Sequence, residues 1–194
     1  FFSRRGNYAV LRYGGEDDKT IETFVAKIQK GANTEGSLSG SYLPRGIEEV
    51  ALSPSGDSVF YIISDESGAT GFTAPLSNPA SRKQIFSSPF SEWLPQWFSA
   101  QTILLATKPS SSVAGYAYTL AANGSSGLKK LFGNTNGLTL LSNQTGSLAL
   151  FSQNAGNAGM ELSVYDAKGN SSRTTVFNTL PEKCAWSSDA EDVY

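Results

Sequence analysis

Apolar residues in this chain fall in short runs broken by clusters of Gly, Ser, Asn and Asp, and almost nowhere do they keep the spacing of an amphipathic helix. One arrangement recurs: a bulky apolar residue, a polar turn, then a β-branched or aromatic run. It occurs as FSRRGNYAVL from Phe2, LSPSGDSVFY from Leu52, WFSAQTILLA from Trp97, LSNQTGSLAL from Leu141 and WSSDAEDVY from Trp186. Serine follows the anchor directly in every copy except the third. The anchors stand at 2, 52, 97, 141 and 186, so the steps are 50, 45, 44 and 45 residues. A fixed period of this length marks a repeat architecture.

A second landmark keeps the same phase: Ile85-Phe86, Leu131-Phe132 and Val176-Phe177 follow one another at 46 and 45 residues. Each period also holds a third apolar segment, at 21–28, 71–76, 116–120 and 162–165. Turn-forming stretches separate the runs, among them Pro54-Ser-Gly-Asp, Asp65-Glu-Ser-Gly, Asn123-Gly-Ser-Ser-Gly and Ala167-Lys-Gly-Asn. The pattern predicts four strands per period. The window 19–30 is the best helical rival, because Ile21, Phe24, Val25 and Ile28 sit at i, i+3, i+4 and i+7. Its alignment with the third strand of the other periods predicts a strand.

Four strands in about 45 residues is the signature of an all-β fold, a β-propeller of four-stranded antiparallel blades. One blade cannot bury both its faces, so Leu52, Trp97, Leu141 and Trp186 are expected on inner strands, packing between blades. The expected division is 2–51, 52–96, 97–140, 141–185 and a partial repeat at 186–194: four full repeats with partial blades at both ends, forming one propeller domain that is part of a ring of six to eight blades. Pro95-Gln-Trp97-Phe-Ser, Cys184-Ala-Trp186-Ser-Ser-Asp and Val50-Ala-Leu52-Ser-Pro-Ser-Gly-Asp resemble degenerate copies of the P-x-W-S-P-D-G motif of the WD40-like, TolB-type propeller repeat. The second copy keeps Ser53, Pro54 and Gly56 but has Leu52 for Trp; the third keeps Pro95 and Trp97 and loses the turn.

Charge and chemistry narrow the function. Only 16% of residues are charged, against about a quarter in ordinary domains, and the net charge is -2 with scattered Lys and Arg. No basic footprint for nucleic acid exists. There is no His, and Cys184 is the one cysteine, expected as a small core residue on an inner strand; an intrachain disulfide, a His-based metal site and a His-dependent triad are excluded. Neither a G-x-S-x-G elbow nor the S-x-D-x-G-x-x-W boxes of sialidases are present, so no catalytic residue, metal or cofactor is assigned. The acidic stretches at Glu16-Asp17-Asp18 and Asp65-Glu66 lack the calcium-loop pattern and read as solvated turns. Asn123, Asn143 and Asn170 match the glycosylation acceptor. No run is long and apolar enough for a membrane span, and Phe1-Phe2-Ser3-Arg4-Arg5 lacks the basic, apolar and small-residue order expected of a signal peptide.

What remains is surface recognition. Ser41-Tyr-Leu-Pro-Arg-Gly and Ser88-Pro-Phe-Ser-Glu-Trp-Leu-Pro connect successive repeats, placing Tyr42, Arg45, Phe90 and Trp93 where blade-to-blade loops gather. Tyr, Trp and Arg are the residues that most often anchor protein contacts; the other reading of Phe90 and Trp93 is that they cap the core beside Trp97. The expectation is a non-catalytic platform for a protein or peptide partner in an extracytoplasmic setting, with a cytoplasmic one open. The alternative is an accessory propeller gating a larger, prolyl-oligopeptidase-like hydrolase.

Overall fold

The computed structural model describes residues 1–3, 5–16, 20–29, 36–143, 145–187 and 192–194. Among the described residues, fifteen strands build four meandering antiparallel sheets, in which each strand pairs with the next in the chain. The first sheet comprises β1 (Tyr8–Gly14), β2 (Ile21–Gln29) and β3 (Ser37–Tyr42). The second is β4 (Ile47–Leu52), β5 (Ser58–Asp65), β6 (Gly68–Pro75) and β7 (Lys83–Ser88). β8 (Trp93–Ser99), β9 (Thr102–Thr107), β10 (Gly115–Ala121) and β11 (Lys129–Thr135) form the third. β12 (Leu140–Ser142), β13 (Leu148–Asn154), β14 (Met160–Asp166) and β15 (Ser171–Thr174) form the fourth. These are the blades of a β-propeller. The first has three full strands; a fragment at Phe1–Ser3 holds the place of its innermost one through the bridge Phe2↔Ala9 and the bond from Val10 N–H to Phe1 O (2.8 Å). The bridge Trp186↔Val193 opens a fifth repeat.

The window with helical spacing is strand β2. Its pairing with β1 and β3 satisfies the backbone on both edges, and buries Val25 and Ala26. Secondary structure here follows tertiary pairing rather than local spacing.

The serine after the anchor has a physical role. Ser3 and Ser53 each pair backbone with the residue five further on, and each hydroxyl also accepts that residue's N–H: Tyr8 at 3.0 Å, Ser58 at 3.0 Å. Asn143 Oδ1 does the same for Leu148 (3.2 Å), and Ser187 Oγ accepts from Asp192 N–H (2.9 Å). A short acceptor, buried at Ser3, Ser53 and Asn143, thus closes the hairpin between a blade's first two strands. The same geometry corrects one anchor. Phe2, Leu52 and Trp186 each pair with the residue seven further on, and the residue that does so in the fourth blade is Ser142, facing Ala149; Leu141 pairs with Leu150. A one-residue offset puts Leu141 on the opposite face.

Two other expectations are corrected. Val176 and Phe177 are exposed and lie beyond β15: Thr175 N–H and hydroxyl both reach Leu162 O (2.8 and 2.9 Å), while Leu162 N–H reaches on to Phe177 O (3.3 Å), an irregularity that ends the regular ladder. Cys184 is half-buried at the end of a 3-10 turn, Pro181–Lys183, where its N–H returns to Pro181 O; the proline starts that turn instead of an inner strand.

The chain divides into two compact units, Phe1–Ser91 with Ala122–Ser125, and Glu92–Ala121 with Ser126–Tyr194. In the first, Val10, Val25 and Leu43 of the first blade meet Ile47, Val50, Val59, Tyr61, Ala74 and Leu76 of the second. Arg12 reaches across as well, donating to Ile47 O and Glu48 O, both at 2.8 Å. In the second unit, Phe98, Leu104, Ala106 and Ala117 meet Leu138, Leu140, Ala149, Phe151 and Tyr165. There the amide of Gln96 spans two inner strands, donating to Leu140 O and accepting from Ser142 N–H (2.7 Å).

Candidate binding site

The loop from β1 to β2 and the connection from β3 to β4 emerge at the same end of the first blade. Between them lies a cleft lined by Glu16, Thr20, Glu22, Tyr42, Leu43, Pro44 and Arg45. Register explains the grouping. Tyr13 pairs with Glu22 and Phe24 with Tyr42, so these four share one face of the sheet. The Tyr42 ring meets Phe24 edge-on at 5.0 Å, and its hydroxyl lies 2.6 Å from that of Tyr13. That bond holds the neutral phenol, so the Tyr13 pKa is pushed up from 10.0 to about 12, with help from partial desolvation and the negative potential of Glu22. Arg45 is exposed and sits 3.4 Å from Glu22. Such an ion pair adds little stability and leaves most of the guanidinium's donors available. The cleft therefore gathers Tyr42, a proline, a cation and two carboxylates, with the hydroxyl of Tyr13 beside it.

The structure brings Tyr42 and Arg45 together in this cleft. Phe90 lies in the next connection, between β7 and β8, at the corresponding end of the second blade, and is 71% exposed. Trp93 is different: it opens β8 in the second unit, is only 4% exposed and packs edge-on against Tyr118 at 5.6 Å. It serves the core, and its burial removes it from the accessible set. Trp97 is half-buried, with its indole N–H buried and lacking a partner among the described residues. Sequence reasoning missed Tyr13, Glu16, Thr20 and Glu22. The signal for two of them was the strand register, which places 13, 22 and 42 on one face once β1 to β3 are aligned.

The remaining candidates serve turns. Asp65 accepts from Ser67 N–H (2.7 Å) and from the Ser67 hydroxyl, bonds that hold its carboxyl below the usual range. Asp17 and Asp18 lie outside the described residues. Asn143 is buried and closes its hairpin, so it is no glycosylation acceptor in the folded chain; Asn123 Oδ1 accepts from Ser125 N–H (2.9 Å). Among the described residues no group of three potential ligands of the His, Cys, Asp or Glu type is gathered for a metal, and no helix is long and apolar enough to cross a membrane.

No family model matches the chain, and no curated protein matches it. Solved structures do. A TolB protein from Agrobacterium tumefaciens aligns over 92% of this chain and 64% of its own, with TM-score 0.65 and 14% identity. TolB from Acinetobacter baumannii aligns over 96% of this chain and 48% of its own, with TM-score 0.61 and 12% identity. The β-propeller domain of the Trilobed protease from Pyrococcus furiosus aligns over 88% of this chain and 53% of its own, with TM-score 0.54 and 11% identity. The fold is a β-propeller like those of these structures, and the chain spans between about half and two thirds of their length.

Proposed function

We propose that this propeller binds a protein or peptide partner at the end where its blade-to-blade loops gather, and catalyses no reaction itself. The observation that carries this reading is the cleft beside Tyr42 and Arg45, where an exposed Tyr pair, Pro44 and an incompletely used guanidinium converge on one surface. Such residues supply contact area at small entropic cost and directional hydrogen bonds. Phe90 marks the equivalent loop of the next blade and extends the surface. The scarcity of charge and the abundance of Ser, Thr and Asn support an extracytoplasmic setting on this reading.

A second reading rests on the likeness to a protease's propeller domain: the chain is the accessory propeller of a larger hydrolase, and the same loop end faces that enzyme's catalytic domain. Affinity capture from the native source separates the two. Wild-type protein is compared with Tyr42→Ala plus Arg45→Ala, and with Phe90→Ala. Loss of the same partner in both variants supports the platform, capture of an α/β-hydrolase segment of the same polypeptide supports the gate, and identical recovery by all three proteins overturns the loop-end assignment.

A further inference from the structure

Each sheet ends in an outer strand, β3, β7, β11 or β15, and their sequences differ in how they treat the open edge. β7 carries Lys83, β11 carries Lys129 and Lys130, and β15 carries Arg173, charges of the kind that discourage a further strand from adding. β3 reads Ser37-Leu-Ser-Gly-Ser-Tyr42, with no charge and no proline, and is exposed along its whole length. The bond from Leu43 N–H to Thr23 O, with the register Phe24↔Tyr42 through Gln29↔Ser37, fixes which groups look inward. Ser37, Ser39 and Ser41 bond to β2; the N–H and C=O of Leu38, Gly40 and Tyr42 point outward. No backbone partner meets these outward groups among the described residues.

We propose that this edge pairs with the same edge of a second copy of the chain, antiparallel and centred on Gly40. Hydrogen-bonded pairs would then be Gly40 with the other copy's Gly40, and Leu38 with its Tyr42, twice by symmetry. Between them Ser39 stands opposite the other copy's Ser41. The arrangement is self-complementary, as a two-fold interface requires: both exposed apolar side chains, Leu38 and Tyr42, acquire an apolar neighbour, and the hydroxyls face hydroxyls. Charge separates β3 from the other edges, since β3 alone of the four can pair along its whole length without setting a cation into the new strand pair. Gly40 is required by the home sheet, because a Cβ there would stand 1.9 Å from Val25 O. One strand pair buries less than the roughly 1,200 Å² of a stable interface, so the association is weak, with a dissociation constant on the order of 100 μM.

Sedimentation equilibrium from about 10 μM to about 1 mM reads it. Wild type is expected to shift from monomer to dimer across that range, and Leu38→Lys and Tyr42→Glu each to weaken association about tenfold, since a charge then faces an apolar partner at both symmetric pairs. Mixing the two variants sets the introduced ammonium opposite the introduced carboxylate at one of the two pairs and leaves the other pair native, so the heterodimer recovers at least the wild-type affinity. Circular dichroism and melting curves identify variants that fail to fold; for these, Leu38→Pro, which removes an outward N–H only, takes their place. A monomer throughout the range, a dimer indifferent to both positions, or a mixture no tighter than its components would overturn the proposal.

Discussion

At the scale of single residues, the repeat is held by polar groups that the eye reads as turn filler. Ser53 is nearly buried, and its hydroxyl accepts from the N–H groups of Asp57 and Ser58 while donating to the Asp57 carboxylate at 3.1 Å. Ser53→Ala leaves two donors short of an acceptor, and is expected to cost about 1–3 kcal/mol in urea denaturation; Pro54, which makes none of these bonds, is the control. Tyr13 gives a prediction in pH. Its pKa in the folded chain is about 12 against an ordinary 10.0, so the neutral form is favoured by folding. The stability it contributes is complete below pH 10.0 and is withdrawn as pH rises from there to about 12. Burial also raises Tyr61 and Tyr165, so the titration is read at Tyr13 itself by NMR of ring-labelled protein: Tyr42→Phe should return Tyr13 toward 10, and a Tyr13 signal that stays near 12 in that variant would show that the hydroxyl pair is not the cause.

At the scale of elements, what was legible was the count and order of strands, because period 2 alternation and turn residues are written locally. Ile21 to Ile28 shows where local reading runs short: the spacing fits a helix, and only alignment with the other periods made it a strand. Leu141 shows a subtler loss. Bulk suggested it as the anchor, but register is set by the hairpin acceptor Asn143, two residues on, which plays the part of Ser53. The anchor is recognised by the turn it precedes rather than by its size. The cleft was half legible for the same reason. Tyr42 and Arg45 sit in a connection whose position the period gives; Tyr13 and Glu22 join them only through the register between β1, β2 and β3. Trp93 failed because a connection residue and the first residue of a strand look alike in sequence, and burial decides between them.

At the scale of the molecule, a repeat fold implies that stability is assembled locally. Ile47 belongs to the core of the first unit and Leu138 to that of the second, and neither core cluster contains a residue of the other. Ile47→Val removes one methyl group and is expected to cost about 0.5–1.5 kcal/mol; Leu138→Ala opens a cavity and is expected to cost about 2–5 kcal/mol. In a fold whose repeats interact with their neighbours only, substitutions without shared partners add, so the double variant should lose the sum of the two within about 0.5 kcal/mol. The check is equilibrium unfolding of all four proteins followed by tryptophan fluorescence and by circular dichroism. Trp93, Trp97 and Trp186 all lie in the second unit, so fluorescence reports that unit while circular dichroism averages both. If the units unfold separately, Leu138→Ala shifts the fluorescence transition, and Ile47→Val moves only the circular dichroism one. If they unfold as one, both probes shift together for either substitution, and a coupling energy well above about 0.5 kcal/mol would mean that the two cores communicate and the nearest-neighbour picture fails.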